Sequence, residues 1–497
     1  MRLSELMHGL SGQATLGGEA LDAARLSAFA VTGLTADSRA VRPGDLFAAL
    51  PGARADGRRF IAEAVARGAA AVLAPEGTAW PPGVPPRPLI TDADPRRRLA
   101  LMAAAFHALQ PATIAAVTGT NGKTSTVDFL RQIWAGLHQG RAASLGTLGV
   151  IAPAVEPGGG LTTPDPVALH ATLAGLARAG IAHAAMEASS HGIEQRRLDG
   201  VRLAAAAFTT FTRDHLDYHG TMAAYLAAKL RLFDTLLPEG APVVAHTALP
   251  DEVIAALRAI AAQRHLRLLT VGPGGSFIDV RRAEPRAAGT ALTLRHAGRT
   301  ETLDLPLVGF QADNALVAAA LAVATGAGTA EVFALLPRLA GVRGRIERVA
   351  VLGNGAAVYV DYAHTPDAIA AVLRALRPHA RGRITIVFGA GGDRDPGKRA
   401  PMGAAAAAAD RVIVTDDNPR GEDPAAIRAA VLAGCPGAEE IGDRRAAIAA
   451  AIAGLGAGDL AVIAGKGHEQ GQIVGDRVIP FDDAAVARAE AARLGGG

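Results

Sequence analysis

Residues 113–124 read Thr113-Ile114-Ala115-Ala116-Val117-Thr118-Gly119-Thr120-Asn121-Gly122-Lys123-Thr124. Thr113 to Val117 is a short, apolar, buried-strand candidate. The glycine-rich turn after it runs into a helix whose apolar residues Val127, Leu130, Trp134 and Leu137 recur at helical spacing. A strand, a tight turn and a helix N-terminus make a phosphate cradle. The glycines let backbone N–H groups face an anion, and the helix end adds positive potential. Lys123 adds a point charge, and the Thr124 hydroxyl can meet a magnesium ion. A glycine-rich turn with no ligand is the plainer alternative, but the strand–turn–helix setting favours a nucleotide. Val117 stands where the general phosphate-loop pattern has its first glycine, so the loop is a shortened version.

Working outward, the same alternation continues. Ile181 to Met186, Ala204 to Phe208, Ile384 to Phe388, Arg411 to Val414 and Leu460 to Ala464 read as strands. A hairpin is expected from Val349 to Leu352 through Gly353-Asn354-Gly355 to Ala357–Val360. Strands separated by helices imply an α/β fold with mostly parallel sheets covered on both faces. Before residue 109 short apolar runs mix with turns, followed by the proline-dense Trp80 to Pro88 and a helical pattern over Leu99 to Leu109. Arg96-Arg97-Arg98 reads as the solvated start of that helix rather than a polyanion patch. Breaks near 109 and 341 divide the 497 residues into 1–108, 109–340 and 341–497.

Composition excludes several classes. Half the residues are hydrophobic, a fifth are charged and the net charge is only +3, which fits a globular protein with no nucleic-acid partner. The single cysteine, Cys435, excludes an intrachain disulfide and fits a reducing compartment. Met1 to Ala20 lacks a signal-peptide core, and Ala404 to Ala409 is too short to span a bilayer, so a cytoplasmic protein with no membrane insertion is expected. Only four of the 50 basic residues are lysines: Lys123, Lys229, Lys398 and Lys466. In so arginine-biased a chain, each is a candidate for a place where arginine cannot stand in, because lysine is a compact charge with a potentially reactive amine; chance survival of a surface lysine is the plainer alternative.

Further polar segments follow the strands: Met186-Glu187-Ala188-Ser189-Ser190-His191, Thr212-Arg213-Asp214-His215-Leu216-Asp217-Tyr218-His219 and Ala227-Ala228-Lys229-Leu230-Arg231-Leu232-Phe233. Glu187 and Thr124 are oxygen ligands suited to magnesium, whereas His215 alone would read as a polar loop residue and Lys229 as a snorkelling helix lysine. Later come Asp361-Tyr362-Ala363-His364-Thr365-Pro366, Gly391 to Lys398, Asp417-Asn418-Pro419-Arg420 and Gly465-Lys466-Gly467-His468-Glu469.

Taken with Gly119-Thr120-Asn121-Gly122-Lys123-Thr124, these segments resemble the Mur ligases, which share the phosphate loop with the folylpolyglutamate synthetases and form amides from ATP through an acyl phosphate. The resemblance runs from about Thr35 to Asp483. It implies a small α/β N-terminal uridine-nucleotide domain, a central phosphate-loop domain and a Rossmann-like C-terminal domain. It implies Lys123, Glu187, His215 and Lys229 as catalytic, with Thr124, Glu187, His215 and Lys229 (as a carbamate) holding Mg2+. For ATP it adds Asn314, Arg345 and Asp361 to the loop. A UDP-N-acetylmuramoyl-dipeptide would meet Ser38, Thr162, Thr163, Ser189, Gln195 and Arg197. Asp417 to Arg420 resembles the signature of the branch that takes meso-diaminopimelate, implying Arg394, Asp417, Asn418, Arg420, Gly465 and Glu469 as its contacts. An arginine fork with an amide can grip a distal carboxylate that lysine lacks. A monomer and a closing motion over the substrates are expected.

Three alternatives differ at identifiable residues. A lysine-adding ligase would differ at Asp417 to Arg420. A folylpolyglutamate synthetase would lack Thr162-Thr163-Pro164 and Asp417 to Arg420. An inactive binding protein would have lost Lys123, Glu187, His215 or Lys229. The chain also departs from the family pattern at Ala53-Arg54-Ala55, Ala245-His246-Thr247, Phe310-Gln311-Ala312-Asp313-Asn314 and Arg343-Gly344-Arg345.

Overall fold

The computed structural model describes residues 1–9, 13–52, 55–153 and 161–495. Ala53 and Arg54, part of the departure noted above, lie outside them. The chain gathers into two compact units, Met1–Lys123 with Trp134–Leu269, and Thr124–Ile133 with Thr270–Gly497.

The first unit opens with a six-stranded sheet. Gly33–Thr35, Asp45–Ala48, Ala71–Pro75 and Leu89–Asp92 run parallel side by side, and Gln13–Leu16 and Glu19–Ala20 continue it antiparallel. Alternate residues sort to the two faces as strand geometry requires. Leu46, Ala48, Leu73 and Ile90 join Leu99 and Met102 in one core. Phe47, Ala49, Val72 and Ala74 join Ile61 and Val65 in the other.

Helix Pro95–His107 starts with proline in its first turn, and the Asp94 carboxylate accepts the Arg97 N–H at 3.0 Å. The expected solvated arginine run holds for only part of its length. Arg98 is buried and forms an ion pair with Asp92 at 2.6 Å, because the preceding strand ends with a carboxylate in its path.

The unit's second sheet sets Pro242–His246, Ala205–Phe208, Thr113–Thr118, His183–Glu187 and Ala142–Gly146 parallel in that order, with Gly149–Ile151 antiparallel at the edge. Ala115, Ala116, Ala184, Ala185, Ala206 and Ala207 are fully buried there. Buried on both faces, Thr113–Thr118, His183–Glu187 and Ala205–Phe208 read as continuous apolar runs rather than alternating ones, which is why they are legible in the sequence. Ala142–Gly146, Gly149–Ile151 and Pro242–His246 are not among the strands expected from it. Gly119, Ala188 and Thr209 each follow directly on a strand of this sheet, so the polar segments gather at its carboxyl end.

The second unit begins with an antiparallel meander, Ile278–Arg286, Gly289–His296 and Arg299–Leu305. Helix Gln311–Ala324 is buried along most of its length. The closing sheet orders Glu347–Val351, Ala357–Asp361, Leu460–Ala464, Ile384–Phe388, Arg411–Val414 and Glu439–Glu440, parallel except for the first pair, which is the expected hairpin. Helices Pro366–Leu376, Arg399–Ala406 and Pro424–Leu432 cover one face. Arg444–Ala453 and Asp483–Arg493 cover the other. The architecture is therefore α/β with mostly parallel sheets, as expected. The lone thiol, Cys435, is free and buried.

Candidate functional site

Gly119 and Gly122 adopt φ +147° and +85°, and Gly122 caps helix Lys123–Leu137. A side chain at Gly119 would overlap the Thr209 hydroxyl, so only glycine lets the two strand ends approach this closely. Lys123 folds back over the turn, its Nζ donating to the carbonyls of Gly119 and Thr120, each at 2.9 Å. The Thr210 hydroxyl accepts the Asn121 N–H at 2.8 Å, and the Thr120 and Tyr225 hydroxyls lie 3.2 Å apart.

Lys229 sits on helix Met222–Arg231 with its side chain fully enclosed. Its Nζ donates to the Gly119 carbonyl at 2.9 Å and stands 4.5 Å from the centre of the Tyr225 ring. Burial pushes its pKa well below that of an ordinary lysine, and the charge of Lys123 pushes it further the same way. The amine is therefore biased toward its neutral, nucleophilic form. Tyr225, four residues earlier on the same helix face, was missed by sequence reasoning; that spacing was the available signal.

Glu187 ends its strand fully buried. Its carboxylate accepts the Thr147 N–H at 2.7 Å and the Thr147 hydroxyl at 3.2 Å. Thr147 was also missed. His215 takes a left-handed conformation (φ +52°) at the start of Leu216–His219, and its exposed ring meets His191 edge-on at 5.0 Å. Burial, then the neighbouring His215 and His219, lowers the His191 pKa to about 4.

Five of the six residues expected to bind the nucleotide-linked dipeptide are tied together. Thr163 donates to the Glu187 carbonyl at 3.0 Å and accepts from the Ser189 N–H at 3.1 Å. Arg197 donates to the Thr163 carbonyl at 2.6 Å and to Gln195 Oε1 at 2.7 Å, and the Thr162 hydroxyl lies 3.2 Å from that of Thr147. Ser38 instead begins a short 3-10 turn, Ser38–Ala40, after strand Gly33–Thr35 of the N-terminal sheet, where it donates to Glu63 at 3.2 Å.

In the second unit Asn314 donates to Gln311 Oε1 at 3.3 Å, and Gln311 donates to the Arg345 carbonyl at 2.6 Å. Thr124, which contacts place in the same unit, accepts from Arg345 Nη2 at 3.4 Å. Gln311, Arg345 and Tyr359 line a cavity of about 150 Å³. Arg345 Nε and the Tyr359 hydroxyl are buried with no hydrogen-bond partner among the described residues, so polar capacity is held in reserve beside it. Asp361 accepts the N–H groups of Ile346 (2.7 Å) and Ala363 (2.8 Å), and burial raises its pKa.

The C-terminal segments converge as well. Asn418 Nδ2 donates to Glu469 Oε2 at 3.0 Å. Asp417 lies so close to Gly465 that a Cβ there would come within 2.6 Å of its carboxylate. Arg420, at φ +52°, donates to the Gly392 carbonyl at 2.8 Å. Arg394 is exposed, and its Nη1 donates to the carbonyl of its neighbour Asp393 at 3.3 Å. Lys466, absent from the expected contacts despite its rarity, is fully buried beside Asn418 and Glu469.

Three family descriptions match the chain: Mur ligase family catalytic domain over residues 30–107, Mur ligase middle domain over 117–322, and Mur ligase glutamate ligase domain over 344–467. The UDP-N-acetylmuramoyl-L-alanyl-D-glutamate–2,6-diaminopimelate ligase of Bradyrhizobium diazoefficiens is 53% identical over 491 residues, covering 96% of this chain and 99% of its own. The ligase of the same name from Caulobacter vibrioides is 54% identical, covering 92% and 94%. A solved structure of a ligase so named superposes with a TM-score of 0.72 at 32% identity, over 100% of this chain and 99% of that one. A folylpolyglutamate synthase from Mycobacterium tuberculosis, solved with ADP and AMPPCP, shares the fold at 21% identity and a TM-score of 0.59, over 80% and 94%. With the phosphate loop, the enclosed Lys229 and these full-length likenesses together, the chain belongs to the Mur ligase family.

Proposed function

We infer that the protein is an ATP-dependent ligase joining meso-2,6-diaminopimelate to the D-glutamate γ-carboxyl of UDP-N-acetylmuramoyl-L-alanyl-D-glutamate, in cell-wall precursor synthesis. The observation that carries the branch assignment is the bonding of the Asn418 amide to the Glu469 carboxylate, in a chain more than 50% identical to ligases of that name. A zwitterionic side chain needs both kinds of group, a donor for its carboxylate and an acceptor for its ammonium. Arg394, Asp417, Arg420 and Gly465 complete this contact set, and Ser38, Thr162, Thr163, Ser189, Gln195 and Arg197 that of the UDP-dipeptide.

ATP takes the loop Gly119 to Thr124, with Asn314, Arg345 and Asp361. The substrate carboxylate attacks the γ-phosphate, giving an acyl phosphate and ADP. The amine of diaminopimelate then attacks the acyl carbon, and phosphate leaves as the amide forms. Lys123 offsets charge gathering on the transferred phosphoryl group, and the buried threonine network around Thr163 holds the acceptor in place.

Thr124, Glu187, His215 and Lys229, the last as a carbamate, are the residues that would hold Mg2+. The carboxylate of Glu187 and the hydroxyl of Thr124 are oxygen donors suited to the ion, the His215 imidazole is a less usual one, and burial biases the Lys229 amine toward the neutral form that reacts with CO2. Among the described residues no three His, Cys, Asp or Glu side chains are grouped as a metal cage. An ion that takes much of its shell from water and substrate phosphates does not require one. When bound, it supplies Lewis-acid neutralisation of phosphate charge.

We further propose division into domains 1–108, 109–340 and 341–497, a monomer whose site residues all come from one chain, and a cytoplasmic setting. Among the described residues no helix is long and apolar enough to cross a membrane.

The test is phosphate release from ATP with the UDP-dipeptide, comparing meso-diaminopimelate with lysine at equal concentration. Release with diaminopimelate alone and a tripeptide product mass are expected. Release with lysine instead would overturn the branch assignment, and silence with both would overturn the activity.

A further inference from the structure

Lys466, Asn418 and Glu469 bond to one another in a closed triangle. Lys466 Nζ donates to Asn418 Oδ1 at 3.0 Å and to Glu469 Oε2 at 3.2 Å, and Asn418 Nδ2 donates to the same Oε2 at 3.0 Å. A fourth bond, from the Ile473 N–H to Asn418 Oδ1 at 2.9 Å, ties the hairpin strand Gly471–Val474 to it. Lys466 has no exposed surface, so its ammonium reaches neither solvent nor ligand directly.

The triangle has a directional consequence. Two donors converge on Asn418 Oδ1, so the amide cannot flip without setting its own NH2 against an ammonium and a backbone N–H. Its oxygen is consumed inside the protein, and the donor side is what remains for a ligand. Glu469 is pinned through Oε2, leaving Oε1 with no protein hydrogen bond among the described residues. Its charge is already offset by Lys466, so a ligand's ammonium alone gains little there. The pocket rewards a group that brings a carboxylate to the amide as well as an ammonium to Oε1.

We propose that Lys466 is a positioning residue that sets the preference for a carboxylate-bearing amino-acid side chain over one ending in ammonium alone. This rests on the diaminopimelate-ligase reading above. Lys466 acts through Asn418 and Glu469 and touches no reacting atom.

The experiment measures kcat and KM for meso-diaminopimelate and for lysine in the full-length protein, wild type, K466M and K466Q, with melting temperatures alongside. Wild-type turnover with diaminopimelate tests the underlying activity separately from the variants. In K466M the KM for diaminopimelate is expected to rise about tenfold or more, with the KM for ATP unchanged. The diaminopimelate-to-lysine ratio of kcat/KM should fall about tenfold. That ratio is independent of the active fraction, so partial misfolding does not move it. K466Q, which keeps a donor toward Asn418 without the charge, should recover part of the ratio. An unchanged ratio in both variants would overturn the proposal. So would failure of both to fold, since Lys466 would then be a folding element rather than a specificity one.

Discussion

The side-chain amines of Lys123 and Lys229 meet at one acceptor: each Nζ lies 2.9 Å from the carbonyl oxygen of Gly119. Two cations cannot share one carbonyl in an enclosed site at no cost, and the strain falls on Lys229, the more buried. Its ammonium is disfavoured first by burial and then by Lys123. A neutral amine is what CO2 reacts with, so the geometry that disfavours the cation also favours the carbamate proposed at Lys229.

Lys229→Arg is accordingly expected to lower kcat by at least about 100-fold, because a guanidinium stays charged and cannot form the carbamate. Carbon-13 NMR of wild-type protein in labelled bicarbonate should show a carbamate resonance that the variant lacks. In CO2-free buffer the same lysine gives stability a defined pH dependence. Its pKa is lower folded than unfolded, so between the lowered value and the usual 10.5 the unfolded chain binds more protons. Stability should therefore fall as pH drops through that window, and Lys229→Met should flatten the curve measured by urea titration.

At acid pH a second group acts. His170 is buried with Nε2 3.0 Å from the Asp199 carbonyl, and burial lowers its pKa to about 4. The unfolded chain takes up this proton near pH 6.5 and the folded chain only near 4, so stability is lost as pH falls between those values. The loss is on the order of 3 kcal/mol at the acid end. In His170→Gln, thermal melting followed from neutral pH down to the acid end should lose that share of its pH dependence.

Gly119→Ala tests the loop. The position has φ +147°, and the added methyl would overlap the Thr209 hydroxyl and press on the Thr210 N–H at 3.0 Å. A displaced turn misplaces both lysine amines, so ATP-dependent turnover should fall about 100-fold. Adding Thr209→Ala removes the first overlap but not the backbone strain, so only partial recovery of kcat is expected.

How much of this was visible beforehand depends on the range of the contacts involved. Strands Ile384–Phe388 and Leu460–Ala464 coincide with their sequence reading because strands buried on both faces need unbroken apolar runs, and Arg411–Val414 beside them also coincides through its buried Ile413 and Val414. The phosphate loop is local in the chain, and so legible. The meander over residues 278–305 was not read, since strands such as Arg299–Leu305 carry mostly exposed polar residues and hold together by pairing rather than burial. Arg98 looked solvated because nothing in an arginine triplet shows that Asp92 stands ready to neutralise it. Lys466 stood out only as a rare lysine. Its role depends on Asn418, 48 residues away, and no local pattern encodes that contact.

Arg444 and Asp483, both fully enclosed, form a bidentate pair at 2.8 and 2.7 Å. Arg444 also donates to the Ala464 carbonyl at 2.9 Å and the Asp416 carbonyl at 3.3 Å, the residues just before Gly465 and Asp417. Removing one partner leaves a buried charge unpaired, so Asp483→Ala should cost about 3–5 kcal/mol in urea unfolding. Because the guanidinium steadies both pocket-bearing loops, the KM for diaminopimelate should rise in the surviving folded fraction while that for ATP holds.

Arg420→Lys separates charge from shape. Arg420 is held in a left-handed turn, its backbone N–H bonded to the Ile473 carbonyl at 3.1 Å and its Nη1 to the Gly392 carbonyl at 2.8 Å. One arm of the fork is therefore spent on orientation, and the rest of the planar group can be offered to a carboxylate at a fixed angle. Lysine would preserve the charge but could not anchor on Gly392 and grip a carboxylate in one plane. The kcat/KM for diaminopimelate should fall about 10- to 100-fold with the melting temperature nearly unchanged, and lysine should not become a substrate to match. If diaminopimelate kinetics survived the change within about twofold, the planar fork would not be what recognises the distal carboxylate, and recognition would have to rest on the Asn418 amide alone.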